Sequence, residues 1–296
     1  MSTTRPTPDT NFRAWLALFF GVVAISWSTV WVKLAGVPGV SSAFWRCAFP
    51  ALVTLPFLAG AWRRMGDADT RRTALAGGAL FGLHLCLWNF AIPLTDATRG
   101  TLYPNIGILW FTLAAAKLHG EKPAGRVYAG LFVSLVGLVV LAAPKLHGGL
   151  PTRGDFLCFL CSFTYAGYLT ITKTARQKTS ASDFMIVAAP AGVLTAGLVA
   201  FATGAPLSGY EPKSWTALAG LGLLSHLGGW LLIGHALGRL AAGPAGALML
   251  IQAPLAAAAK AGRPVITYPT KGEHNWVYWK AELPGALEKL AAAANR

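Results

Sequence analysis

Long apolar runs separated by short polar breaks dominate this chain of 296 residues. Runs of about 17 to 25 residues, the length that crosses roughly 30 Å of hydrocarbon, fall near 14–36, 39–62, 73–94, 101–118 and 127–143. After the break PKLHGGLPTRGD, four more follow near 155–174, 184–203, 215–237 and 243–259. The pattern predicts an all-α integral membrane protein of about nine spans. It divides the chain into a polar N-terminal tail (1–13), a five-helix unit (14–143), a second, shorter unit (155–259) and a soluble tail unlike the rest (260–296).

One stretch sets the ruler for the whole chain. HLCLWNFAIPLTDATRGTLYPNIGILWFTLAAAKLHGE, His84 to Glu121, holds the end of one run, a polar elbow and the next run. A weaker copy, GWLLIGHALGRLAAGPAGALMLIQAPLAAAAK, lays Asn89 on His235 and Ile108 on Pro254. Two copies of one unit are expected, and because the first has an odd number of spans the second must be inverted in the bilayer. Inverted repeats are a transporter architecture, with the site near the midplane where the halves meet.

The second copy stops short. The counterpart of the fifth run should lie at 273–289, where EHNWVYWKAELPGALEK carries Glu273, Lys280, Glu282, Glu288 and Lys289. Such a segment cannot cross a bilayer at reasonable cost. The departure begins near Lys260, and the tail reads as a short strand, PVITYP, a loop, and an amphipathic helix from Trp276 to Ala293, a small polar α/β-like piece.

Composition narrows the class. Hydrophobic residues make up 54%, charged residues 12% and mean hydropathy is +0.51, whereas soluble domains carry about 25% charged residues. The net charge of +14 would suggest nucleic acid in a soluble protein; here it reads as topogenic, with a lipid bilayer and a small-molecule substrate as partners and no nucleic acid. With a cytoplasmic N-terminus, the inner loops hold Arg5, Arg13, Arg63, Arg64, Arg71, Arg72, Lys117, Lys122, Arg126, Lys173, Arg176, Lys178 and Arg239. The outer ones hold only Lys33, Arg99, Lys145, Arg153 and Lys213. The first run is too long for a signal-peptide core and reads as a retained span. Cys47, Cys86, Cys158 and Cys161 lie inside apolar runs and read as packed residues, so neither metal nor cofactor is expected.

Polar side chains inside the runs are the candidate site. Arg46 sits in the second run, where Arg is costly, and Pro50 cannot donate to the carbonyl of residue 46. A cation and a freed carbonyl thus share one kink. Arg46 either meets a substrate carboxylate in a cavity or snorkels to the outer interface. Pro93 frees the carbonyl of Asn89 in the same way, and His84 and Trp88 share a helix face. Trp27, Tyr103, Asn105, His226 and His235 complete the substrate-binding set. His226 and His235 lie on opposite faces of their run, so they cannot form a metal pair. Lys33 and Lys173 are either repeat equivalents or ordinary end-of-helix anchors. The acids Asp9, Asp67, Asp69, Asp96, Glu121, Asp155, Asp183 and Glu211 fall in loops or at run ends. Coupling through a membrane carboxylate is therefore not expected, and it would rest on His84, His226 or His235 if present.

The order of motifs resembles the EamA-type branch of the drug/metabolite transporter superfamily over residues 14–259. The similarity rests on GVVAISWSTVWVKLA, FWRCAFPAL, AIPLTDATRGTLYPNIGILW, HGEKP and GDFLCFLCSFTYAGYLTITK. It implies inverted five-helix repeats, here lacking the last helix, and efflux of small metabolites such as amino acids across a bacterial-type inner membrane, without enzymatic activity. The tail GEHNWVYWKAELPGALEKL is similar to the end of α/β-hydrolase esterases of the mycolyltransferase type, in which His274 would match the triad base. A triad also needs a nucleophile on a hydrolase scaffold, and no GxSxG occurs in the chain. Two alternatives to the exporter stand beside it: a truncated or chimeric, transport-incompetent membrane protein, and a membrane-anchored serine esterase.

Overall fold

The computed structural model describes residues 8–95, 99–142 and 152–252. The chain divides into two units, Met1–Lys260 and Ala261–Arg296, and every described residue belongs to the first. The strand, the amphipathic helix and His274 expected in the tail lie outside the described residues, as does the end of the ninth run.

The described residues are all-helical. The helices are α1 (Pro8–Ser26), α2 (Ser28–Ala35), α3 (Gly39–Thr54), α4 (Leu58–Arg64), α5 (Ala68–Ala91), α6 (Arg99–Asn105) and α7 (Gly107–His119). Then come α8 (Gly125–Ala142), α9 (Arg153–Ala175), α10 (Ala181–Ala202), α11 (Pro212–Gly220), α12 (Gly229–Leu237) and α13 (Ala242–Met249), with a π-helical stretch, Leu221–Gly228, joining α11 to α12. Six helical segments are long and apolar enough to cross a membrane, Asn11–Ala35, Gly39–Arg64, Ala68–Ala91, Arg153–Ala175, Ala181–Ala202 and Pro212–Leu237. The fourth run is broken: α6 and α7 meet at Ile106, after Pro104.

Local chemistry sets the helix ends. Asp67 accepts from the Thr70 amide, Ser180 from the Asp183 amide, and Thr152 with Asp155 forms a reciprocal capping box at the start of α9. Asp155 also accepts from Thr95 at 2.5 Å, which docks the start of α9 on the elbow after α5. Gly36 and Gly120 close α2 and α7 in the left-handed conformation.

Helix α5 runs along α10 and α9, α3 packs on α10, α1 on α12 and α13, and α7 on α9. The α5–α10 contact is backbone to backbone. A Cβ on Gly78 would lie 1.9 Å from the Ala188 carbonyl oxygen, and one on Gly82 would lie 2.6 Å from that of Gly192. Small residues allow this approach, the usual route to helix association in lipid. Gly130 and Gly137, in contrast, meet none of the described atoms within 4 Å.

Side-chain bridges sort the turns into two ends of the bundle. At one end Arg64 pairs with Asp183, His119 with Thr174 and Gln177, and Arg176 donates to the Gly234 carbonyl. At the other Ser41 and Trp45 donate to the carbonyls of Pro206 and Leu207, and Thr95 meets Asp155. The first end also carries Arg63, Arg71, Arg72, Lys117 and Lys173.

Candidate functional site

A cavity of about 160 Å³ opens between the helices. Helix α5 supplies its longest wall, Phe81, His84, Leu85 and Trp88, positions that recur every three or four residues and so share one face. Facing them are Arg46 of α3, Tyr165 of α9 and Trp230 of α12. Ile25, Ser26 and Ser28 come from the α1–α2 joint, Gly100, Pro104 and Asn105 from α6, and Gln252 follows α13.

Arg46 lies one turn before Pro50 inside the continuous helix α3. Its carbonyl oxygen, which the proline cannot engage, is 2.7 Å from Nδ1 of His226. A carbonyl only accepts, so Nδ1 of His226 carries the proton. The guanidinium carbon stands 6.0 Å from the centre of the Phe81 ring, a cation–π distance. No carboxylate lies within ion-pair reach of it among the described residues, and its buried Nε has no hydrogen-bond partner.

The aromatic wall is interlocked. Phe81 packs on Tyr168, His226 and Trp230 at 4.6, 4.7 and 5.4 Å. His84 stacks on Tyr165 at 5.3 Å and bonds Thr164 through Nδ1 at 3.1 Å. Trp88 donates to the Gly100 carbonyl at 3.0 Å, tying α5 to α6 at the cavity. Asn105 is buried and accepts from Gln252 at 3.1 Å.

Of the sequence-derived set, Arg46, His84, Trp88 and Asn105 come together on the cavity, and His226 stands behind Arg46 as its backbone partner. Asn89 turns away. Its amide donates to the Leu85 carbonyl and its oxygen lies where a Cβ on Gly39 would fall. Trp27 is 49% exposed at the α1–α2 joint, Tyr103 is half-buried off the cavity, and His235 sits beside Arg239 at the basic end. His226 and His235 are apart, as their spacing requires. Phe81, Tyr165, Trp230 and Gln252 join the site unannounced. The helical period running back from Trp88 through His84 reaches Phe81, but the others come from helices remote in sequence.

A second polar cluster closes the basic end. Lys173 pairs with Glu121 at 2.8 Å and donates to the carbonyls of Leu237 and Leu240 at 3.4 and 2.8 Å. Glu121 in turn accepts from the Ala242 amide at 2.8 Å. One ion pair thereby caps the C-terminus of α12 and the N-terminus of α13, where a cation and an anion are each favoured. Lys33, in contrast, is exposed. Beside the pair, partial burial and the Lys173 ammonium hold His119 below the usual imidazole range. Among the described residues no group of acids, histidines or cysteines could hold a metal ion.

No family model matches the chain, and no curated protein matches it. Solved structures do, with 18 chains similar to it. One crystal structure, described only as that of a protein, has a TM-score of 0.70 at 18% identity and covers 87% of this chain and 90% of its own. At that identity the likeness is one of fold alone.

Proposed function

We propose that the protein is a multi-pass transporter of the EamA type that it resembles, exporting small metabolites such as amino acids or related solutes across a bacterial-type inner membrane. The observation that carries this reading is Arg46, a cation without an acidic partner among the described residues, on an aromatic-lined cavity inside an apolar helical bundle. An ionisable group at membrane depth marks a solute pathway more often than a structural contact, and aromatic walls with a few polar groups suit a small organic solute.

The pattern of contacts supports two inverted halves. Helix α5 lies on α9 as α12 lies on α1, α7 lies on α9 as α13 lies on α1, and α3 meets its counterpart α10. Exchanging the halves leaves this pattern unchanged, as a two-fold axis in the membrane plane requires. The basic end, with Arg63, Arg64, Arg71 and Arg72, would face the cytoplasm together with the N-terminus.

The test is flux. Purified full-length protein in vesicles should move a carboxylate-bearing solute, and Arg46→Ala should abolish the movement. Unchanged flux in Arg46→Ala would remove Arg46 from the pathway, and no flux of any solute would favour the transport-incompetent alternative.

A further inference from the structure

The electrostatics of the cavity narrow its ligand further than "small metabolite". Beyond the Nε of Arg46, two more buried donors there have no hydrogen-bond partner among the described residues: the Ser28 hydroxyl and the Trp230 indole nitrogen. Ser28 is 8% exposed and Trp230 4%, and all three residues line the same cavity. Orphaned buried donors of this kind cost free energy unless something accepts from them.

What the cavity lacks matters equally. Among the described residues lining it there is no Asp or Glu. The carboxylate of an amino acid could meet Arg46, but its ammonium would then be desolvated within reach of the guanidinium with no anion to pair it. Like charges at such range in a low dielectric repel strongly. The remaining wall is Phe81, Tyr165, Trp230 and Trp88, flat and apolar, and the volume of about 160 Å³ is close to the roughly 150 Å³ of a cavity that takes up benzene.

We propose that the cavity binds a net-anionic, single-ring aromatic carboxylate, with its carboxylate on Arg46, Ser28 and Trp230 and its ring against Phe81 and Tyr165, and that it discriminates against zwitterions. This rests on the transporter reading only for the statement that such an anion is the cargo, and within that reading it puts net-anionic solutes in place of amino acids; the binding chemistry stands on the cavity itself.

Full-length protein in detergent is titrated with benzoate, benzamide, phenylalanine and benzylamine, following tryptophan fluorescence and thermal unfolding. Benzoate should quench fluorescence and raise the melting temperature. Phenylalanine and benzamide should bind about tenfold or more weaker, the factor for some 1.4 kcal/mol, and benzylamine weakest of all. Arg46→Gln should erase the preference for benzoate over benzamide. Should that variant not fold, Trp230→Phe, which keeps an aromatic ring and deletes the N–H donor, should weaken benzoate more than benzamide and so narrow the preference between them. Phenylalanine binding as tightly as benzoate would overturn the proposal, as would an unmoved preference in Arg46→Gln or in Trp230→Phe. Benzoate that binds but does not cross vesicles would sink the statement that such an anion is the cargo and uphold the anion site. Flux of zwitterions without benzoate binding would do the reverse.

Discussion

The imidazole of His226 donates from Nδ1 to the carbonyl oxygen of Arg46, 2.7 Å away, the carbonyl that Pro50 leaves without a helical partner. A carbonyl that a proline in α3 leaves bare is thus satisfied from the π-helical stretch between α11 and α12. On the same turn Ser225 donates to the Ala24 carbonyl. Single π turns recur at functional sites because they re-aim side chains without ending the helix.

His226→Ala should therefore destabilise the fold by about 1–3 kcal/mol for the carbonyl left bare, with a cavity term in addition. Pro50→Ala supplies an amide at the fourth residue onward and restores the helical bond. The double variant should lose less stability than the two single losses together, as read by urea or thermal unfolding in micelles. Strict additivity would mean that the hydrogen bond contributes nothing.

Removing one partner of a buried ion pair leaves the other charge uncompensated and costs about 3–5 kcal/mol. Lys173 and Glu121 are 9% and 18% exposed at the side chain, and both also hold helix ends. Arg64→Met leaves Asp183, 9% exposed at the side chain, without its cation, whereas Lys173→Met leaves Glu121 and also strips the carbonyls of Leu237 and Leu240 of their donor, so it should destabilise more. Melting temperatures of the two variants decide the order.

Gly78→Ala should unfold the protein or strongly lower its melting temperature, because the new methyl meets the Ala188 backbone and α5 cannot yield without leaving α10. Gly167→Ala should be tolerated. There the nearest atom is the Leu80 Cδ2 at 2.7 Å, the tip of a flexible side chain, and the exchange removes unfolded-state freedom. Paired thermal scans test the contrast.

His119 has its pKa lowered by partial burial and then by Lys173. With the folded value below the ordinary 6.5, the unfolded chain takes up the proton first as the pH falls. Stability from this residue is present above pH about 6.5, declines as the pH drops, and levels off below the folded value. His119→Gln should flatten the melting temperature between pH 7.5 and 5.5, and an unchanged slope would assign the dependence elsewhere.

Much of this was legible in the order of residues, and the reasons are specific. The apolar runs coincide with helices because a hydrophobic stretch of span length has few other ways to satisfy its backbone in lipid. Pro50 announced the bare carbonyl of Arg46 because the loss of an amide donor is a covalent fact. His84 and Trp88 were placed on one face by helical period alone. Asn89 had the same local signature as Arg46, a proline four residues on, yet its amide is spent on its own helix at Leu85. Nothing local distinguishes the two. Lys173 looked like one of two end-of-helix lysines, and only its neighbours, Glu121 and the carbonyls of Leu237 and Leu240, set it apart from Lys33.

The sequence by itself determined the helices, the carbonyl of Arg46 that Pro50 leaves bare and the sharing of one face by His84 and Trp88, since each follows from hydropathy, ring chemistry or helical period within a few residues. Tertiary structure alone decided which polar groups share a space. Arg46, His84, Tyr165, Trp230 and Gln252 arrive from five separate segments, and their meeting depends on how closely glycines let helices approach, Gly21 against Gly229 between α1 and α12 and Gly107 against Ser162 between α7 and α9, a property of packing between helices that no single helix encodes.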